Sequence, residues 1–196
     1  MEVIVISVSE CIWFERKLAT FLAPSLLGIK CAGIFSIDKT KINLEEHISR
    51  FNKKASTKGL KLKYLCDCNE KCALLLLYHE KLLKEQLSGQ KQQQILKHYG
   101  YPENSSFDCI LKKLSHRLKT LKSFPHEIGI FLGYPVEDVV GFILNKGENY
   151  KLCGYWKVYG NTEKAKYTFE KYDKCRNFLC NKMNQGYDLY QALKIS

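Results

Sequence analysis

No run of apolar residues in this chain is long enough to cross a bilayer. The longest, "VIVISV" from Val3 and "CALLLLY" from Cys72, fall far short of the roughly 20 residues that a spanning helix needs. The first also lacks a basic flank and is preceded by Glu2, which argues against a secretory signal. The location these features predict is cytoplasmic, with no membrane partner. Internal repeats and low-complexity tracts are missing too, "GQKQQQ" from Gly89 being no more than a locally polar patch. There is no Gly-rich phosphate loop of the P-loop or dinucleotide type and no G-x-S-x-G nucleophile elbow, so no motif of known mechanics names a reaction. Acidic residues are the scarcer charge. Twenty of them against thirty-one Lys and Arg leave a net +11, which favours anionic partners such as phosphorylated ligands, nucleic acid or an acidic protein.

What is present is globular. A hydrophobic content of 45% over 196 residues suits one domain, with an N-terminal α/β half over about 1–100 and a helical and strand half over about 101–196. Ile12, Trp13, Leu18, Phe21 and Leu22 have helical spacing, with Pro24 expected to end that helix. "CAGIFSI" from Cys31 reads as a strand, and "NLEEHISRFNKKA" as a helix capped by Asn43. "LKLKYLC" from Leu60 alternates, placing Leu60, Leu62, Tyr64 and Cys66 on one face. "CALLLLYH" is apolar throughout, as in a central strand covered on both sides, and the two make a hairpin. A polar helix follows from Glu80 to about His98, softly interrupted at Ser88 and Gly89. Ser106 to Lys122 is amphipathic, with Ile110, Leu111, Leu114, Leu118 and Leu121 inward and Lys112, Lys113, His116, Arg117, Lys119 and Lys122 outward. The predicted class is α+β: a mixed sheet of three to four strands containing one β-hairpin, surrounded by six to eight helices.

"FPHEIGIFLGYPVEDVVGFILNKG", Phe124 to Gly147, holds the strongest candidate groups. Pro125 and Pro135 each suit the first residue of a helix, with Gly133 and Tyr134 as the hinge and Gly147 as a left-handed stop. Val136, Val139, Val140, Ile143 and Leu144 form a core stripe on the second helix, where Glu137 and Asp138 suit the positive end of the dipole. His126 and Glu127 fall at the start of the first helix. There the dipole disfavours imidazolium, and a neutral imidazole beside a carboxylate is a general base or a metal ligand; a pair of capping side chains is the alternative. In a helix-turn-helix, the second helix would lead into DNA with Glu137 and Asp138, which is electrostatically backward. "CGYWKVYG" from Cys153 reads as one strand with Tyr155, Lys157 and Tyr159 on a common face, able to take a phosphate or carboxylate or to stack on a flat cofactor, or simply the wet side of a half-buried strand. Thr162 to about Cys180 is a charged helix, followed by a short final one.

Nine cysteines are many for a reducing compartment. Cys66, Cys68 and Cys72 surround the hairpin tip. With Cys153 as fourth ligand they could hold zinc, iron or an iron-sulfur cluster, although C-x-C-x3-C is not a common zinc spacing. Small buried apolar residues with a loop thiol, or a disulfide if Cys66 pairs with Cys72 across the strands, are the alternatives. The basic helix has no interleaved aromatics, which argues against a nucleic-acid module.

The segment "FPHEIGIFLGYPVEDVVGFILNKG", followed by "YKLCGYWKVYG" and "AKYTFEKYDKCR", resembles the C-terminal signature of a family of uncharacterised proteins from clostridia and related anaerobic bacteria, a domain of unknown function. "FLAPSLLGIKCAGIFSI" is similar to that family's N-terminal segment, so the resemblance covers most of the chain. It implies a link to iron or redox physiology and a flavodoxin-like or other acidic protein as partner. It carries no catalytic assignment onto His126, Glu127, Tyr134, Tyr155, Lys157 or Tyr159. From the residues themselves, the expectation is a C-terminal cleft for a small anionic ligand or redox cofactor, with His126 and Glu127 as acid-base or ligand groups and Lys157 as the anion contact.

Overall fold

The computed structural model describes residues 7–103, 105–121 and 123–195; most of the apolar run from Val3, and Lys122 of the basic helix, lie outside the described residues. Ser7 starts the first helix, α1 (Val8–Leu26), its hydroxyl accepting from Glu10 N–H at 3.1 Å. Pro24 does not end that helix as expected. It lies in the last turn, where its ring removes a single bond and Leu27 N–H still reaches Ala23 O at 3.0 Å. The Pro24 carbonyl then accepts from both Ile29 N–H and Lys30 N–H, at 2.9 and 3.0 Å, folding the chain sharply back into β1 (Ala32–Asp38).

α2 (Leu44–Ala55) is capped by Asn43, whose side chain accepts from Glu46 N–H at 3.2 Å. The chain turns at Gly59, left-handed at φ +67°, into β2 (Leu60–Asp67) and then β3 (Cys72–His79). β3 lies between β1 and β2 and is antiparallel to both, so the two outer strands run parallel and α2 crosses between them. The apolar run of β3 is the centre of the molecule. Ala73, Leu75 and Leu77 pack on one face with Phe14, Leu18 and Phe51, and Leu74, Leu76 and Tyr78 on the other with Leu111, Leu114 and Phe131. Each such leucine removed from water contributes about 1.5–3 kcal/mol.

The second face is covered by α3 (Glu80–Ser88), α4 (Gln90–His98), α5 (Phe107–Thr120), α6 (Ile128–Phe131) and α7 (Val136–Leu144). The break expected at Gly89 is complete, since extended backbone there (φ −62°, ψ 139°) separates two helices. A two-stranded antiparallel sheet, β4 (Leu152–Cys153) with β5 (Lys157–Val158), precedes the long α8 (Thr162–Asn184) and the short α9 (Leu189–Ala192); α8 and α9 return to the first face beside α1. The fold is α+β, with nine helices and two small sheets among the described residues.

Two stripes differ from expectation. The alternation of β2 breaks at a bulge between Tyr64 and Cys66, which turns both Leu65 and Cys66 into the second cluster and leaves Tyr64 at the exposed edge. On α7, Val139 is buried, but Leu144 is 76% exposed because the helix stops one turn after leaving the core.

Candidate functional site

α6 is a single turn. Pro125, His126 and Glu127, expected inside a helix running to Leu132, form a preceding turn in which Ile128 N–H bonds Pro125 O at 3.2 Å and Gly129 N–H bonds His126 O at 3.3 Å. One turn carries little macrodipole, so the argument for a dipole-neutralised His126 loses its basis. The turn also separates the expected pair. Glu127 is fully buried; its Oε1 accepts from Arg117 Nε at 2.5 Å and from the Tyr101 hydroxyl at 3.1 Å, while its Oε2 is buried without a partner among the described residues. Arg117, read in the sequence as part of an outward basic face, turns inward, its guanidinium 5.3 Å from the Tyr99 ring centre. Burial and then the Glu127 charge push the Tyr101 phenol well above its ordinary range. His126 stays exposed, with its ring 5.2 Å from that of Phe142.

α7 begins after Pro135 and ends as predicted at left-handed backbone, Lys146 and Gly147 having φ +52° and +81°. Asp138 sits in its first turn, yet its carboxylate points into the protein. Oδ2 accepts from Trp156 Nε1 at 2.7 Å, and Oδ1 accepts from the backbone N–H groups of Tyr159 and Gly160, each at 2.8 Å. A buried anion needs such saturation, and Asp138 thereby ties the segment after β5 to α7.

The stretch expected as one strand is a hairpin turning at Gly154, Tyr155 and Trp156, so Tyr155, Lys157 and Tyr159 do not share a face. The Tyr155 hydroxyl donates to Asp173 Oδ1 on α8 at 2.8 Å; burial, then that bond, pushes the phenol up to about 12. Tyr159 lies against Gly141 with its hydroxyl buried and unpartnered among the described residues. Lys157 Nζ donates to Gly147 O at 2.7 Å and lies 4.8 Å from the Tyr150 ring centre.

Between the Pro125 turn, α7 and this hairpin is a cavity of about 370 Å³. Its walls are apolar or aromatic, principally Phe124, Ile128, Tyr134, Val139, Phe142 and Trp156, with Tyr134 and Trp156 stacked at 5.1 Å. His126, Lys157 and Cys153 also line it, as does Asp138, whose two oxygens are already hydrogen-bonded. Of the expected cleft, then, His126, Tyr134 and Lys157 come together, while Glu127, Tyr155 and Tyr159 do not; Cys153, expected as a metal ligand, joins the cavity instead.

The hairpin thiols are dispersed. The bulge sends Cys66 inward, where it pairs with Leu74 rather than Cys72; Cys68 is exposed; and Cys153 stands at the C-terminal cavity, which no hairpin cysteine lines. Burial raises the thiol of Cys66, which opposes thiolate formation. All nine cysteines are free, and among the described residues no three His, Cys, Asp or Glu side chains converge as ligands for a metal ion. Nor is any helix there long and apolar enough to cross a membrane.

Fold and site define an α+β protein with helices on both faces of a three-stranded sheet and an aromatic cavity beside a C-terminal hairpin. The chain belongs to the family described as "Protein of unknown function (DUF3793)", whose model matches residues 18–193. No curated protein and no solved structure matches it.

Proposed function

We propose that the C-terminal cavity binds a small anionic ligand with a flat apolar body, a class that includes phosphorylated redox cofactors. One observation carries this: an aromatic pocket of about 370 Å³ with two basic side chains, His126 and Lys157, among its lining groups. Its volume lies within the range of small-molecule sites, and apolar walls with a few placed polar groups are their usual make-up. The Tyr134 and Trp156 rings supply stacking surface, and Lys157, held by Gly147 O, supplies an oriented cation. A redox cofactor in this cavity, with a flavodoxin-like acidic protein as electron partner, is the form the function takes if the ligand is redox-active.

The probe is 8-anilinonaphthalene-1-sulfonate, a flat apolar body with one anionic group, titrated into the protein and followed by Trp156 fluorescence in a Trp13→Phe background. Saturable quenching that weakens about tenfold in Lys157→Met supports the reading, since a desolvated charge contact is worth roughly 1.5–3 kcal/mol. Quenching that is absent, or unchanged by both Lys157→Met and His126→Ala, overturns it.

A further inference from the structure

The sharp turn after α1 places Lys30 apart from the C-terminal cavity, half-buried where two other cavities adjoin. The smaller, of about 190 Å³, lies between the end of α1, β1 and the aromatic side chains Tyr134, Tyr155 and Tyr172; the wider, of about 440 Å³, opens past Gly28, Glu85 and Gln86. Lys30 and Tyr172 line both. The ammonium lies 5.0 and 5.7 Å from the ring centres of Tyr134 and Tyr172, and among the described residues Lys30 forms no ion pair; Glu85 borders the wider cavity without pairing with it. Ser25 borders the smaller cavity and is only 1% exposed; its hydroxyl is buried with no hydrogen-bond partner among the described residues.

A lysine whose role were structural would be expected to hold a carboxylate or to extend into water. This one is confined among aromatic rings with no counter-ion, next to an orphan hydroxyl and space for a ligand. We propose that Lys30 is the nucleophilic amine of a second site, which condenses with a small aldehyde carrying an apolar or aromatic body. The free amine nitrogen forms a bond to the carbonyl carbon, and the carbonyl oxygen takes up a proton to give a carbinolamine. The C–O bond then breaks, that oxygen leaves as water, and nitrogen loses its second proton, leaving an imine and requiring neither oxidant nor reductant. In this proposal the carbinolamine oxygen becomes the hydrogen-bond partner of the Ser25 hydroxyl, which has none among the described residues. The rings of Tyr134 and Tyr172 offer an apolar wall for the body of the aldehyde.

The titratable neighbours agree with this assignment. Burial lowers the Lys30 ammonium to about 8, so near neutrality its free-amine fraction is on the order of a hundredfold above that of an ordinary lysine. Burial pushes the adjacent Cys31 thiol up to about 11 and the Tyr134 phenol to about 12, and raises Tyr155 and Tyr172 as well, so these four stay neutral and offer no competing nucleophile.

The test is reductive trapping of the full chain with benzaldehyde and cyanoborohydride at neutral pH, followed by peptide mapping. Benzylation of Lys30 is expected at least about tenfold faster than at exposed lysines such as Lys174. Its rate should level off above pH 8, and the preference should vanish in chain unfolded by urea. Ser25→Ala should slow trapping while leaving the pH midpoint in place. Labelling of Lys30 no faster than of Lys174, or equally fast in the unfolded chain, overturns the proposal.

Discussion

Asp138 and Trp156, eighteen residues apart, are joined by a 2.7 Å hydrogen bond from the indole N–H to a carboxylate oxygen, and both side chains are buried. The other oxygen holds the Tyr159 and Gly160 N–H groups, so one side chain fixes the tryptophan that walls the cavity and the chain just after it. Asp138→Ala strands three donors, the buried indole N–H and two part-buried backbone N–H groups. It should lower unfolding free energy by about 3 kcal/mol and shift the Trp156 emission to the red, both measurable in one denaturant titration of the Trp13→Phe protein. Asp138→Asn, which keeps an acceptor for the backbone pair but turns a donor toward the indole, should lose less.

Arg117 and Glu127 act as a unit inside the second core cluster. Glu127→Ala leaves an unpaired guanidinium and should cost roughly 3–5 kcal/mol, whereas replacing both residues by leucine should recover much of that loss. A double-mutant cycle by urea unfolding gives the coupling; additive losses would mean that the pair does not interact in solution.

His126 presents the opposite case. It is exposed and its ring packs only on the edge of the cavity beside Phe142, so His126→Ala should change stability by less than about 0.5 kcal/mol. Sulfonate-probe binding should nevertheless weaken. A large fall in melting temperature with unchanged binding would make the residue structural.

Lys30 gives a pH signature of defined sign. Its ammonium is lowered in the folded state from 10.5 to about 8, so between those values the unfolded chain holds a proton that the folded chain does not. Stability contributed by this group therefore rises with pH across that window and is lowest below pH 8, where the folded protein must bury the charge. Lys30→Met should be more stable than the parent at neutral pH and lack this rise, as followed by urea unfolding at a series of pH values.

Much of the scaffold was legible in the residues because it rests on local rules. The unbroken apolar run Cys72 to His79 could be covered only from both sides, Asn43 and Ser106 cap the helices they precede, and Gly147 terminates α7 with positive φ. The family signature was readable as a string, and Pro125, Tyr134 and Lys157 within it do border one cavity. The directions of individual side chains were not readable in this way. A bulge of one residue turned Cys66 inward; a single-turn helix put His126 and Glu127 in different environments; a hairpin at Gly154 dispersed Tyr155, Lys157 and Tyr159. Arg117 looked like one cation among many on a basic helix and Asp138 like an ordinary acid in a first turn, while Lys30 belonged to no motif. The isolation of Lys30 between "LLGI" and "CAGIF" is the local signal of its burial. The sequence by itself determined the elements, their caps and the central strand, since those depend on neighbours a few residues away. Which charges are buried, which thiols separate and which groups share a cavity depended on contacts between residues ten to more than a hundred positions apart, and only the tertiary structure decided them.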